Sequence, residues 1–197
     1  MKSSNLVVGL LVTGLAYGSK PLPADVVILV RGEIAAPGAV DQDARAQVSW
    51  IYSRAGVRLT WREANPPVTA GQVVIELRYA KDAPQGVNGG ALAYALPFGN
   101  GGTAITVLYD RVRFAAGRLS RETALLAHVL AHEIGHILER TNAHAPAGIM
   151  KAHWSGQDYD AMDRHVLQFT PADLDLIRLG LASLKSQSEV AIVEARP

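Results

Sequence analysis

The sequence predicts an α+β domain, and three observations carry that expectation. Strand-like segments fill the front half around a single helix, a nearly all-apolar helical run dominates the back half, and a capped amphipathic helix closes the chain. The chain has 197 residues, 49% of them hydrophobic and 19% charged, which fits one domain with an ordinary core.

The first segment reads as an address. Lys2 precedes a short apolar run, Leu6 to Ala16, and small residues surround Ala16-Tyr17-Gly18-Ser19, the order of a secretory signal cleaved near Gly18. A bilayer span takes about 20 apolar residues, so an uncleaved anchor is the weaker alternative. The expected division is therefore a signal over 1–18, a catalytic-type domain over 24–186 and a frayed tail over 187–197.

Within the domain, Asp25 to Arg31 is short and β-branched between Pro23 and Gly32, and predicts a strand. Asp41 is placed to cap a helix that runs to Arg54, with Ala44, Val48, Ile51 and Tyr52 at helical spacing and Gly56 as its stop. Val57 to Trp61 and Val73 to Tyr79 alternate in period two. Ala91 to Leu96 is a weaker strand, and Thr103 to Tyr109 a better one. Ser120 is a candidate N-cap for the apolar helix from Thr123 to Leu138, with Glu122 in its first turn. Residues 141–169 read as mostly irregular. Thr170-Pro171-Ala172-Asp173 then opens a helix to about Leu184.

Composition excludes several chemistries. Nineteen basic residues nearly cancel eighteen acidic ones, leaving +1, so the basic surplus of a nucleic-acid binder is missing. Zero cysteines remove disulfides, thiolate zinc ligands and thiol catalysis together. A metal would have to be held by His, Asp or Glu. The glycines at 86–90 and 99–102 lack a phosphate-loop pattern and read as edges of a cleft.

One phrase carries chemistry: His132-Glu133-Ile134-Gly135-His136, an H-E-x-x-H inside the apolar helix. Four residues advance a helix by about 400°, so both imidazoles lie on one side, about one turn apart, and can reach one tetrahedral zinc. Glu133 flanks that side, where a carboxylate can take a proton from water without being a ligand. Six His and eight Glu in 197 residues give about 0.007 such phrases by chance. All six histidines fall between 128 and 165, and a buried glutamate between two of them is costly without a cation.

Two helical ligands leave zinc incomplete. His144, past the expected helix end, is the leading third ligand, with Asn142 as the point of chain reversal. His153, His165, Asp158, Asp160 and Asp163 are the alternatives. His128, one turn before His132, cannot converge with both other helical histidines and reads as a core residue.

His132 to His136, the later His144 and Gly148-Ile149-Met150 together resemble the metzincin metalloproteases, which include matrixins and astacins. The resemblance implies a single catalytic domain, built on a twisted, mainly five-stranded mixed sheet with a backing helix, an active-site helix and a C-terminal helix. It implies His132, His136 and His144 as ligands of one catalytic Zn2+, Glu133 as general base and Met150 as the methionine of the turn beneath the metal. It also implies that Ala91 to Leu96 is an edge strand that pairs with an extended peptide. The usual phrase is H-E-x-x-H-x-x-G-x-x-H. Here Glu139 stands at the glycine position and Asn142 at the third histidine, so His144 arrives two residues late.

The expectation is a secreted or periplasmic zinc endopeptidase acting on a peptide or protein, with no nucleic-acid partner and no membrane span after signal cleavage. A non-catalytic, zinc-stabilised peptide- or protein-binding module is the alternative from another class, and a zinc hydrolase of non-peptide amides is a third. His153, Trp154 and Tyr159 lie near the motif in sequence, and none is assigned to stabilise an oxyanion.

Overall fold

The computed structural model describes residues 24–32, 36–63, 69, 71–87, 89–97 and 103–194, with side chains as far as 189. The expected signal over 1–18 lies outside them, as do residues 98–102 and the last three of the tail. The elements are β1 (Ala24–Arg31), α1 (Gly38–Arg54), β2 (Val57–Arg62), β3 (Val73–Tyr79), β4 (Ala93–Leu96), β5 (Thr103–Val107), α2 (Tyr109–Ala116), α3 (Leu119–Glu139), α4 (Gly156–Met162) and α5 (Pro171–Glu194).

The five strands form one mixed sheet in the order β2-β1-β3-β5-β4. β1 runs parallel to β2 and β3, and β3 parallel to β5, with Val26 opposite both Leu59 and Val73 and Leu77 opposite Ile105. Only β4 is antiparallel, pairing Tyr94 with Thr106 at the sheet edge. Such parallel strands are covered on both faces, which is why β1 reads as the apolar run Val26 to Val30 rather than as a clean alternation. The expected α+β domain, with its backing, central and C-terminal helices, is the one observed.

α1 and α3 pack side by side over the sheet. Tyr52, wholly buried, donates its hydroxyl to the carbonyl of Ala131 at 2.8 Å and ties the two helices together. α5 crosses α3 at Gly180, where a Cβ would overlap the carbonyl oxygen of Leu138. A glycine inside a helix costs about 1 kcal/mol of propensity, and here it lets two backbones touch.

Several boundaries differ from expectation. Asp41 lies inside α1, whose N-cap position is Pro37, because its carboxylate is used elsewhere: it accepts from the Tyr79 hydroxyl at 2.7 Å and pairs with Arg45 at 2.8 Å. Tyr109 opens α2 instead of ending β5, since Tyr109, Val112 and Ala116 bury one helical face and Gly117, at φ 68°, stops it. α3 starts at Leu119 with Arg118 at its N-cap, so Ser120 is not the cap. Glu122 accepts a 2.7 Å hydrogen bond from Tyr109 instead. Residues 141–169 contain α4, which begins with a reciprocal cap between Ser155 and Asp158.

The expected cap on the last helix is present: Asp173 accepts from the Thr170 amide at 2.7 Å, and the Thr170 hydroxyl accepts from the Asp173 amide at 3.2 Å. α5 continues past Leu184, the expected helix end, to Glu194. The continuation is pinned, because Ser188 donates to the Gln72 carbonyl at 3.2 Å and Arg140 donates to Gln187 at 3.0 Å. Among the described residues no helix is long and apolar enough to cross a membrane.

Candidate metal centre

α3 is apolar nearly all round because it is the innermost helix. Leu125, Leu126, Leu130, Ile134, Ile137 and Leu138 are all fully buried. Against that background, His132 and His136 turn to one side and bring their Nε2 atoms within 3.0 Å of each other. The ring of His144 lies 5.3 Å from that of His132 and 4.9 Å from that of His136, between centroids. One nitrogen of each of the three falls within 4.8 Å of the others.

The second nitrogens define what the first can do. Nδ1 of His132 donates to the Ile149 carbonyl at 2.8 Å, and Nδ1 of His136 donates to the Thr141 carbonyl at 2.9 Å. A carbonyl oxygen only accepts, so both rings carry their proton on Nδ1 and present a bare lone pair at Nε2. Two lone pairs facing each other at 3.0 Å repel unless a cation lies between them. Nitrogens sharing one tetrahedral zinc at 2.0–2.1 Å would stand about 3.3 Å apart, so the pair needs to open only slightly. Three imidazoles with an open fourth corner are a fitting donor set for zinc.

Burial sets the protonation of the site. It pulls the His132 imidazole down to about 4, with His136 and His144 adding to the shift and the bond to Ile149 opposing it. Burial lowers His136 too, helped by His144, and lowers His144, helped by His153. All three rings are therefore neutral and ready to ligate at neutral pH. Glu133, only 7% exposed, is pushed up to about 8 by burial.

The exit from α3 explains how a histidine two residues late still arrives. Arg140 takes the left-handed conformation, φ 54°, and is the only non-glycine with positive φ among the described residues. The reversal is thus at Arg140 and not at Asn142, which is exposed on the cleft. The Thr141 amide returns to the His136 carbonyl at 3.3 Å, and the Thr141 hydroxyl accepts from the Ala143 amide at 3.0 Å. Ala145 then donates to the Met150 carbonyl at 2.8 Å, fixing the residue next to His144.

The turn at Gly148-Ile149-Met150 lies beneath the histidines. Gly148 has φ 76°, and a Cβ there would overlap the Gln168 carbonyl, to which the Ile149 amide donates at 3.1 Å. Met150 is fully buried with its sulfur against Gly135. Helix, reversal, third histidine and underlying methionine are thus brought together around one side of α3.

The remaining candidates separate. His128 donates to the Ala124 carbonyl at 2.6 Å and accepts from the Leu167 amide at 3.0 Å, so both nitrogens are used and it is a core residue. Asp158 holds Lys151 at 2.6 Å, Asp160 and Asp163 hold Arg121 at 3.0 and 2.7 Å, and none joins the cluster. His153 lines the cleft outside the trio, and His165 is exposed outside it.

The metal face opens into a cleft of about 550 Å³. Its walls include Ala93, Tyr94 and Ala95 of the edge strand β4, Ala115 of α2, and Lys151, Trp154 and Tyr159 beyond the turn. Gly90 borders it as expected of the first glycine stretch, while the second, 99–102, lies outside the described residues. Sequence reasoning missed Tyr94, Ala115 and Lys151. Trp154 packs edge-on 5.6 Å from the His132 ring and donates to the Gly148 carbonyl at 3.3 Å. The Ser155-x-x-Asp158 cap was the available signal for the α4 wall.

No protein-family model matches the chain, and no curated protein matches it. The fold is similar to the crystal structure of archaemetzincin from Methanopyrus kandleri, over 84% of this chain and 99% of that one, with 18% sequence identity and a TM-score of 0.49.

Proposed function

We propose that this chain is an exported zinc-dependent endopeptidase with one catalytic ion held by His132, His136 and His144. The observation that carries the reading is the pair of Nε2 lone pairs brought to 3.0 Å, each with its own Nδ1 tied to a backbone carbonyl, beside a buried glutamate in an open cleft. Zinc bound there supplies a Lewis acid that polarises a carbonyl and lowers the pKa of a coordinated water.

The chain's own residues supply the rest. Glu133 is the general base: it takes a proton from the attacking water and later delivers it to the leaving amine nitrogen. The carbonyls of Ile149 and Thr141 hold the His132 and His136 rings in their ligating tautomer and orientation. β4, antiparallel and at the sheet edge, offers unpaired backbone groups to an extended peptide with little demand on its side chains. Export rests on Lys2 and the apolar run ahead of Gly18.

The test is Glu133→Gln. The variant should keep its zinc, measured by metal analysis, and lose nearly all hydrolysis of peptides. Undiminished hydrolysis would remove Glu133 from the reaction. A zinc-loaded wild-type chain that binds peptides and cuts none would make this a binding module.

A further inference from the structure

Phe114 is the most exposed large apolar side chain among the described residues, at 88%, and Leu119, five positions on, is 69% exposed. Both sit at the joint between α2 and α3, where only Gly117 and Arg118 separate the two helices. α2 buries Tyr109, Val112 and Ala116 and therefore turns Phe114 outward. Neither Phe114 nor Leu119 lines the cleft or joins the core, so the fold gains nothing from them. A single exposed apolar residue is ordinary, but two on one projecting joint mark a surface that meets something other than water.

The joint is held in shape. Gly117, at φ 68°, donates to the carbonyls of Phe114 at 3.2 Å and Arg113 at 3.4 Å and closes α2. The hydrogen bond from Tyr109 to Glu122 joins the first turns of α2 and α3, and Arg111 donates to the Ala91 carbonyl at 3.0 Å. Residues 110–121 carry four arginines and one aspartate, a local +3 in a chain of net +1. Arg113 pairs with Asp110 at 3.0 Å, Arg118 with Asp163, and Arg121 with Asp160 at 3.0 Å, so arginine stays in excess even with Asp160 and Asp163 counted. Arg121 is drawn inward, but the side chains of Arg113 and Arg118, next to Phe114 and Leu119, remain 61% and 57% exposed. Exposed pairs of this kind hold weakly in water and give way to another anion.

A phenylalanine and a leucine projecting between arginines have the composition of an interfacial anchor, in which apolar side chains enter the headgroup layer and guanidinium groups pair with phosphate. Side chains that project, instead of lining a groove, suit a fluid surface that needs no matching shape. We propose that the α2–α3 joint docks on the surface of an anionic lipid bilayer, with Phe114 and Leu119 entering the interface and Arg113 and Arg118 on the lipid phosphates. The contact is peripheral, since no described helix is long and apolar enough to cross a membrane. Ala115, beside Phe114, lines the cleft, so docking brings the opening close to proteins held at that membrane. Docking itself needs neither zinc nor peptidase activity.

The experiment floats the purified chain with vesicles of equal parts phosphatidylglycerol and phosphatidylcholine, and with vesicles of phosphatidylcholine alone. The wild type should float with the anionic vesicles at low salt, lose most of that binding at high salt, and stay off the neutral ones. Phe114→Ser with Leu119→Ser, and separately Arg113→Gln with Arg118→Gln, should each lower partition into anionic vesicles about tenfold with Tm little changed. Phe114→Trp should add fluorescence that lipids brominated in their acyl chains quench. A wild type that stays off anionic vesicles overturns the proposal, as does the absence of added quenching. Binding that either double variant leaves intact, which attachment through the apolar run at Leu6 to Ala16 would give, overturns it too. A chain that binds no vesicle but dimerises in sedimentation, and loses the dimer with Phe114→Ser and Leu119→Ser, would assign the joint to a second copy instead.

Discussion

The sulfur of Met150 lies against the backbone of Gly135, so closely that a Cβ on Gly135 would overlap it. Gly135 is one residue before His136 and three after His132, so the turn supports the helix between its two ligating residues. Gly135→Ala gains helix propensity of about 1 kcal/mol but overpacks a fully buried contact, at a cost of about 1–3 kcal/mol. The expected outcome is weaker zinc binding in a competition titration. Adding Met150→Ala should restore part of that loss, giving a non-additive double-mutant cycle. Additive effects would show that the two residues do not act on each other.

Arg140 occupies a left-handed position that glycine adopts without a side-chain penalty. Arg140→Gly should leave zinc affinity unchanged and raise stability by up to about 1 kcal/mol in urea unfolding. A clear destabilisation would show that the guanidinium contact with Gln187, at 3.0 Å, outweighs the backbone strain.

Only the trio of histidines converges, so the third position can be tested directly. His144→Ala should weaken zinc binding by at least about 100-fold, whereas His153→Ala, which alters a cleft residue outside the trio, should leave it within about threefold. The reverse ranking, read by the same titration, would move the third ligand to His153.

His128 gives the fold an acid-sensitive point. Burial holds its imidazole below the ordinary 6.5, so the unfolded chain takes up the proton first. Stability from this group is complete above pH 6.5 and is lost as pH falls from there through the lower folded value. His132 and His136 act in the same direction in the metal-free chain. Urea midpoints measured between pH 7.5 and 5 should fall, and His128→Gln should flatten that slope while lowering stability at pH 7.5. An equal slope in the variant would contradict the assignment.

Where periodicity determines structure, the sequence was legible. β1, β3, α1 and the body of α3 are long or regular enough that their apolar spacing alone places them, and the two helical ligands follow from the pitch of α3. What escaped was set by partners remote in the chain. Asp41 and Glu122 looked like helix-terminus residues, but their carboxylates serve Tyr79 and Tyr109 across the fold. The reversal at Arg140 escaped because arginine carries no turn signal. It is held there by the returning hydrogen bonds between Thr141 and His136. His144 was legible as a candidate, and its delivery depends on the pairing of Ala145 with Met150.

Zinc-edge X-ray absorption on the purified, zinc-reconstituted chain tests the central claim most directly. The account predicts one zinc per chain with three imidazole nitrogens at about 2.0–2.1 Å and an oxygen neighbour at the open corner. A well-folded protein that takes up no zinc, or a zinc held by fewer than three imidazoles, would contradict it.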